Sequence, residues 1–345
     1  MSTDKSDLAA GLLLAKRDLN FAKLGLAWAL LSGMIFALNA ILLDAGLKRG
    51  PFADSPLWLL APLTAAAMHD TVSCCWILAL TTATGRLREI GRSMFTRSGA
   101  KVCLGALFGG PLGTGGYIVS LKLIGPAYVL PITSLYPVVA SVLAMIFLKE
   151  RISPRAWVGL ACCVIGGFII GYSPPESGQS SQFYLGLGMA VVATLGWGSE
   201  GVLSTSGMDL LDPTVAMNIR QIVSGLAYML IVLPLLGGWS LLGQAVTSAA
   251  APIIVVAAGL GASSYLLWYK AMNMTGVSRA MALSITYALW GILFSALFTD
   301  TVITVNLLVG AVVISMGMFL VVGNVKDITN LRKINLPQDK TACLG

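Results

Sequence analysis

Charge is scarce in this sequence. Asp, Glu, Lys and Arg make up 11% of its 345 residues, against about 25% in a soluble domain. From Phe183 to Met208 the only carboxylate is Glu200. A soluble chain so built would need many buried core helices and almost no polar surface, so that class is excluded. Metal ligands are also few. There is one histidine, His69, and the six cysteines (Cys74, Cys75, Cys103, Cys162, Cys163, Cys343) have neither metal-ligand nor disulfide-framework spacing. Five lie in apolar stretches, as small packing residues do. No metal and no other cofactor is expected. HExxH, GxSxG and a phosphate-cradling glycine loop are all missing, and a lone His–Asp dipeptide is too little for hydrolysis. An enzyme is not expected. The opening "MSTDKSDLAAGLLLAKRDLNFAK" has too short an apolar patch for a signal peptide and no small-residue cleavage site.

Apolar residues, at 57%, are abundant, and the mean hydropathy is +0.84. They fall into ten runs, 24–43, 57–84, 102–121, 126–148, 156–173, 183–207, 215–236, 253–269, 280–298 and 302–322, on the scale of a membrane-spanning helix. The expected fold class is an all-α polytopic membrane protein with ten transmembrane helices. With the N-terminus inside, 18 of the 22 Lys and Arg fall in inside segments; Lys48, Arg49 and Lys122 fall outside and Arg220 within a span. That asymmetry predicts cytoplasmic termini and residence in a bacterial-type inner membrane. It also accounts for the net charge of +7 without nucleic acid; the lipid bilayer is the expected partner.

The chain matches itself. At an offset of 161, Leu24, Gly25, Leu26 and Ala29 meet Leu185, Gly186, Leu187 and Ala190. At 148, Gly113, Tyr117 and Lys122 meet Gly261, Tyr265 and Lys270. At 151, Gly125, Tyr136, Phe147, Gly159 and Gly166 meet Gly276, Tyr287, Phe298, Gly310 and Gly317. The expected organisation is a cytoplasmic segment 1–23, five-helix repeats at 24–173 and 183–325, and a cytoplasmic tail 326–345. Five spans per repeat force the second half upside down, and inverted repeats mark carriers that bind substrate at the repeat interface. A channel would favour polar pore-lining runs, which are missing.

The stretch "GPAYVLPITSLYPVVASVLAMIFLKERISPRAWVGLACCVIGGFIIGY" (Gly125 to Tyr172) closes the first repeat with a Pro-containing helix, a basic "LKER" loop and a Gly-rich helix. It resembles the repeat end of the drug/metabolite transporter superfamily, the EamA-like carriers. In the second half "LFTDTV" (Leu297 to Val302) stands where "LKER" would be. The resemblance covers about Phe21 to Val325 and implies a central cavity lined by helices 1, 3, 4, 6, 8 and 9. It leaves amino acids, nucleotide sugars, drugs and amines as substrate classes. The stretch "GWGSEGVLSTSGM" with "MNIRQIVSGL" also resembles the choline-permease branch.

Four ionisable residues lie within spans: His69, Asp70, Glu200 and Arg220. Each costs at least about 2.5 kcal/mol there unless paired or hydrated. Glu200 has Asn39 as repeat mate and Trp197 one turn before it, the combination a desolvated organic cation needs. Tyr117 and Tyr136, their mates Tyr265 and Tyr287, and Trp268 are candidates to complete an aromatic site, or else packing residues. Tyr136 lies between Pro131 and Pro137, where a broken, cavity-facing helix is expected. Trp58, Trp157 and Trp239 fit an interfacial belt better. His69 and Asp70 read as a structural pair or as a proton relay, with protons a possible coupling ion. Arg220 either reaches the interface or pairs with Glu200 or Asp70. The expected substrate is a small organic cation such as choline; the alternative is an exporter of amino acids or aromatic metabolites. The "GGPLGTGGY" glycines read as close helix packing.

Overall fold

A computed structural model describes residues 3–55, 58–147, 154–172, 180–208, 210–275, 280, 283–300 and 302–322, with side chains from Lys23 onward except at positions 144, 147, 156, 160, 171, 172, 180, 321 and 322. The "LKER" loop, residues 173–179, Gly276, Arg279 and the tail 326–345 lie outside the described residues.

Among the described residues the architecture is helical, without strands. The first repeat consists of α1 (Thr3–Leu47), α2 (Leu60–Ala83), a short surface helix α3 (Leu87–Met94), α4 (Arg97–Leu107), a π-helical stretch (Phe108–Thr114), α5 (Gly115–Thr133), α6 (Tyr136–Phe147) and α7 (Pro154–Tyr172). The second consists of α8 (Ser180–Met208), α9 (Pro213–Ala227), a π-helical stretch (Tyr228–Val232), α10 (Leu233–Leu236), α11 (Trp239–Val246), α12 (Ala251–Thr275), α13 (Tyr287–Phe298) and α14 (Val305–Val322). Among the described residues six helices are long and apolar enough to cross a membrane, and Trp157–Ile170, Tyr287–Phe298 and Val305–Leu320 are shorter apolar helices. Helix α1 runs unbroken from Thr3 through the opening segment into the first span, whose apolar part begins at Lys23.

Two local features explain how spans become shorter helices. At Gly125 φ is +73°, a value at which only glycine is unstrained, and the chain reverses between the third and fourth spans. The fourth span then breaks at Ser134–Leu135 and the ninth at Ile285–Thr286, positions 151 apart. Tyr136 and Tyr287 therefore each open the helix that follows a break. The helices α7 and α14 pack closely through small residues: a Cβ at Gly166 would press on the Gly310 carbonyl and one at Gly317 on the Gly159 carbonyl. The main core gathers α1, α2, α5, α8, α9 and α12 around the aromatic residues described next.

Candidate functional site

An aromatic layer forms where the repeats meet. Phe36 packs against Tyr117 (5.4 Å between ring centroids), Trp197 (5.6 Å), Tyr265 (6.4 Å) and Tyr287 (5.1 Å). Tyr117 meets Trp197 at 5.1 Å. Trp268 meets Tyr136 at 5.8 Å and Tyr265 at 5.9 Å. Phe36, Tyr136, Trp197, Tyr265, Trp268 and Tyr287, with Ser32, Gly33, Ser264 and Ser284, line a cavity of about 50 Å³. Most of its hydroxyls are engaged within the protein. Ser32 and Ser264 donate to each other's carbonyls at 2.9 Å, and the Tyr136 hydroxyl lies 3.0 Å from Ser284 Oγ.

Phe36, Trp197 and Tyr265 also border a second chamber of about 10 Å³, which Asn39, His69, Asp70, Thr114, Tyr117, Arg220, Gln221 and Gly261 complete. Arg220 is its centre. Nε donates to Glu200 Oε1 at 2.9 Å, Nη1 to Asp70 Oδ2 at 3.2 Å and to Gln221 Oε1, and Nη2 to Thr114 Oγ1 at 3.2 Å. The guanidinium carbon stands 4.7 Å from the Tyr265 ring centroid. Tyr269 donates to Glu200 Oε1 at 3.1 Å and Ser224 to Asp70 Oδ2 at 2.5 Å. Glu200 Oε2 has no partner among the described residues. The three charged side chains are each 1% exposed, so this is a buried triad of two carboxylates and one guanidinium. Removing Arg220 would leave two buried carboxylates uncompensated, and breaking a buried pair in this way costs about 3–5 kcal/mol.

The backbone is shaped to hold these side chains. The π-helical stretch Phe108–Thr114 surrounds Pro111, and such stretches recur at functional sites. A Cβ at Gly109 would collide with the Glu200 carboxylate, one at Gly110 with Ser224 and one at Gly113 with the Trp197 indole. Tyr228, which opens the second π-helical stretch, donates to the Gly110 carbonyl at 3.0 Å. The "GGPLGTGGY" glycines are thus close-packing positions, and two of them receive Glu200 and Trp197.

The structure brings Tyr136, Trp197, Tyr265, Trp268 and Tyr287 to the first cavity and Asn39, His69, Asp70, Tyr117 and Arg220 to the second. Glu200 stands behind Arg220. Arg220 does not reach an interface; it pairs with both carboxylates. The roughly 100° between successive helical residues does not separate His69 from Asp70, because Nδ1 turns to Asp70 Oδ1 at 3.1 Å. Trp58, Trp157 and Trp239 are exposed. Sequence reasoning missed Phe36, Thr114, Ser224 and Tyr269. Phe36 was within reach, since the offset that pairs Asn39 with Glu200 also pairs Phe36 with Trp197; the others carry no signal that separates them from neighbouring residues.

The model of the EamA-like transporter family matches residues 23–172 and again 184–323. The chain belongs to this family. Two matches, one per half, agree with the two inverted five-helix repeats. Among curated relatives of this EamA-like chain, Protein LicB of Haemophilus influenzae is 33% identical over 193 residues, 55% of this chain and 63% of that one. The Uncharacterized transporter YoaV of Bacillus subtilis is 27% identical over 191 residues, 53% of this chain and 62% of that one. The matched region thus spans just under two thirds of each relative's length. A solved structure titled only "Crystal structure of protein" superposes with a TM-score of 0.58 at 16% identity, covering 87% of this chain and 95% of that one; it supports the fold.

Proposed function

We propose that this EamA-family transporter moves a small organic cation, choline or a related quaternary ammonium compound, by alternating access. The observation that carries the reading is an aromatic-walled cavity set against a buried triad with one more carboxylate than guanidinium. Ring faces attract a desolvated cation by about 2 kcal/mol each, and the surplus negative charge next to the cavity favours the same sign of ligand. An anion such as a nucleotide sugar calls for free Arg or Lys, but Arg220 is already committed to Glu200 and Asp70. Size points the same way. One water needs about 10–15 Å³, and a cavity of about 50 Å³ favours a compact head group over a nucleotide sugar. The resemblance to the choline-permease branch in helix 6 and the start of helix 7 adds to the case. Both termini are assigned to the cytoplasm on the Lys and Arg asymmetry, with an inner-membrane location. His69 beside Asp70 is the candidate for any proton coupling.

Thermal-shift titration of the purified protein with choline, glutamate and a nucleotide sugar tests the reading. Choline is expected to raise the melting temperature in a saturable way, and choline flux into proteoliposomes is expected to saturate. A shift produced by the nucleotide sugar and not by choline would overturn the assignment.

A further inference from the structure

The two halves differ in one respect that their shared fold does not require. At an offset of 151, Pro62, Ala65, Val72 and Ser73 of α2 fall on Pro213, Ala216, Val223 and Ser224 of α9. Contacts agree with this register. Ser73 donates to the Ala258 carbonyl at 2.9 Å, and Ser224 packs on Gly110, the position 148 before Ala258. The register puts His69 on Arg220, while the first helices put Asn39 on Glu200. The Arg220–Glu200 bond therefore has an image in the other half: His69 opposite Asn39.

That image is open. His69 Nε2 and Asn39 Oδ1 are both buried without a hydrogen-bond partner among the described residues. They border the same chamber. A Cβ at Gly261 would lie 2.7 Å from Nε2 and 3.4 Å from Oδ1, so both atoms point at one spot on α12. An inverted-repeat carrier changes facing by exchanging the conformations of its halves, which opens contacts made in one half and closes their images. We propose that His69 and Asn39 form a second latch, the counterpart of Arg220–Glu200, which closes in the opposite-facing state as Arg220 and Glu200 part. The side-chain amide of Asn39 offers a donor and an acceptor, so it matches Nε2 in either tautomer. The latch rests on the alternating-access reading above and adds to it the residues that hold the second state. Both are positioning residues.

The test is pulsed electron–electron resonance on spin-label pairs at opposite ends of the bundle, Arg88 with Asn273 and Arg49 with Asp300, all exposed. Glu200→Gln removes a charge-assisted bond and is expected to shift the population away from the present facing by about tenfold. His69→Ala and Asn39→Ala are expected to shift it the other way by about threefold, the size of a neutral hydrogen bond, and His69→Gln, which keeps a donor and an acceptor, to restore the balance. Asn39→Ser carries the same test if Asn39→Ala does not fold. Shifts in the same direction as Glu200→Gln, or two populations that ignore Asn39 and His69, overturn the latch alone. One unchanging distance for both pairs in the wild type, with and without choline, removes the alternating-access reading and the latch with it.

Discussion

The Tyr136 hydroxyl lies 3.0 Å from Ser284 Oγ, and one turn away Tyr287 reaches Thr133 Oγ1 at 3.4 Å. Tyr136 and Tyr287 are repeat mates, and so are Thr133 and Ser284. Each half thus lends a tyrosine to the other half's hydroxyl across the seam between the fourth and ninth spans. The rings, not the hydroxyls, are left to face the cavity. Tyr136→Phe is therefore expected to cost about 1 kcal/mol of stability with choline affinity unchanged within about twofold, as read by thermal melting and calorimetric titration.

Truncating a ring should act on binding. Trp197→Ala and Phe36→Ala are expected to weaken choline binding about 10- to 30-fold, the equivalent of about 2 kcal/mol for one desolvated cation–π contact. Trp58→Ala and Trp157→Ala, at exposed positions, serve as controls with unchanged affinity. If Trp197→Ala binds choline as the wild type does, the aromatic cavity is not the cation site.

Glu200→Gln keeps the shape of the side chain and removes its charge. Arg220 retains Asp70 but loses its shortest carboxylate bond, so stability is expected to fall by about 1.5–3 kcal/mol, the size of one hydrogen bond to a charged group. The triad also loses its surplus negative charge, and choline affinity is expected to fall at least tenfold, on the order of 1.4 kcal/mol. A destabilised variant with undiminished affinity would show that Glu200 serves Arg220 alone.

Glycine substitutions separate packing from backbone entropy. Gly109→Ala drives a methyl group into the Glu200 carboxylate and is expected to cost upward of about 2 kcal/mol. Gly188→Ala and Gly167→Ala meet nothing within 4 Å and should be neutral or slightly stabilising, by up to about 1 kcal/mol. Comparable losses at all three positions in thermal melts would contradict the notch geometry.

At the start of α9, Asp212 caps the helix, accepting from the Thr214 amide at 2.8 Å and pairing with Arg86 at 3.0 Å. Partial burial pushes its carboxyl up, but the Thr214 amide and Arg86 outweigh it and hold it below the usual carboxylate range. A lowered value means the stabilisation is present above about pH 4 and is lost as pH falls through the folded value. Asp212→Ala is expected to cost about 1 kcal/mol at neutral pH and to flatten the acid limb of the stability profile.

Much of this was legible in the sequence because membrane helices announce themselves by length and because repeat offsets carry three-dimensional information. The mates Tyr136/Tyr287 and Phe36/Trp197 converge because the same interface is built twice. The full network around Glu200 and Arg220 was harder to read. Arg220, Asp70, Thr114 and Tyr269 lie on four helical segments besides that of Glu200, and nothing in a linear pattern says which of several inward polar residues reach one another. The glycines of the third span were readable as packing positions, but which side chain each admits depends on the rotation of the neighbouring helix.

The π-helical stretch Phe108–Thr114 can be regarded as one surplus residue in the third span. Everything before it, including Lys101 and Val102, follows one angular phase, and everything after it, including Tyr117 and Ser120, follows another. Deleting Leu112 alone would restore a regular α-helix and leave the downstream half facing as it does now, because the wide turn is what absorbs the surplus residue. One residue inserted between Gly116 and Tyr117, with no wide turn to absorb it, would turn the downstream half by about 100° with a shift of about 1.5 Å. Tyr117 would then leave the aromatic layer and Ser120 its bond to the Gly186 carbonyl, while Gly109 would still receive Glu200. The third span thus sets the angle between the charged triad and the aromatic wall by residue count, a quantity that point substitutions leave untouched and a single-codon insertion changes at once.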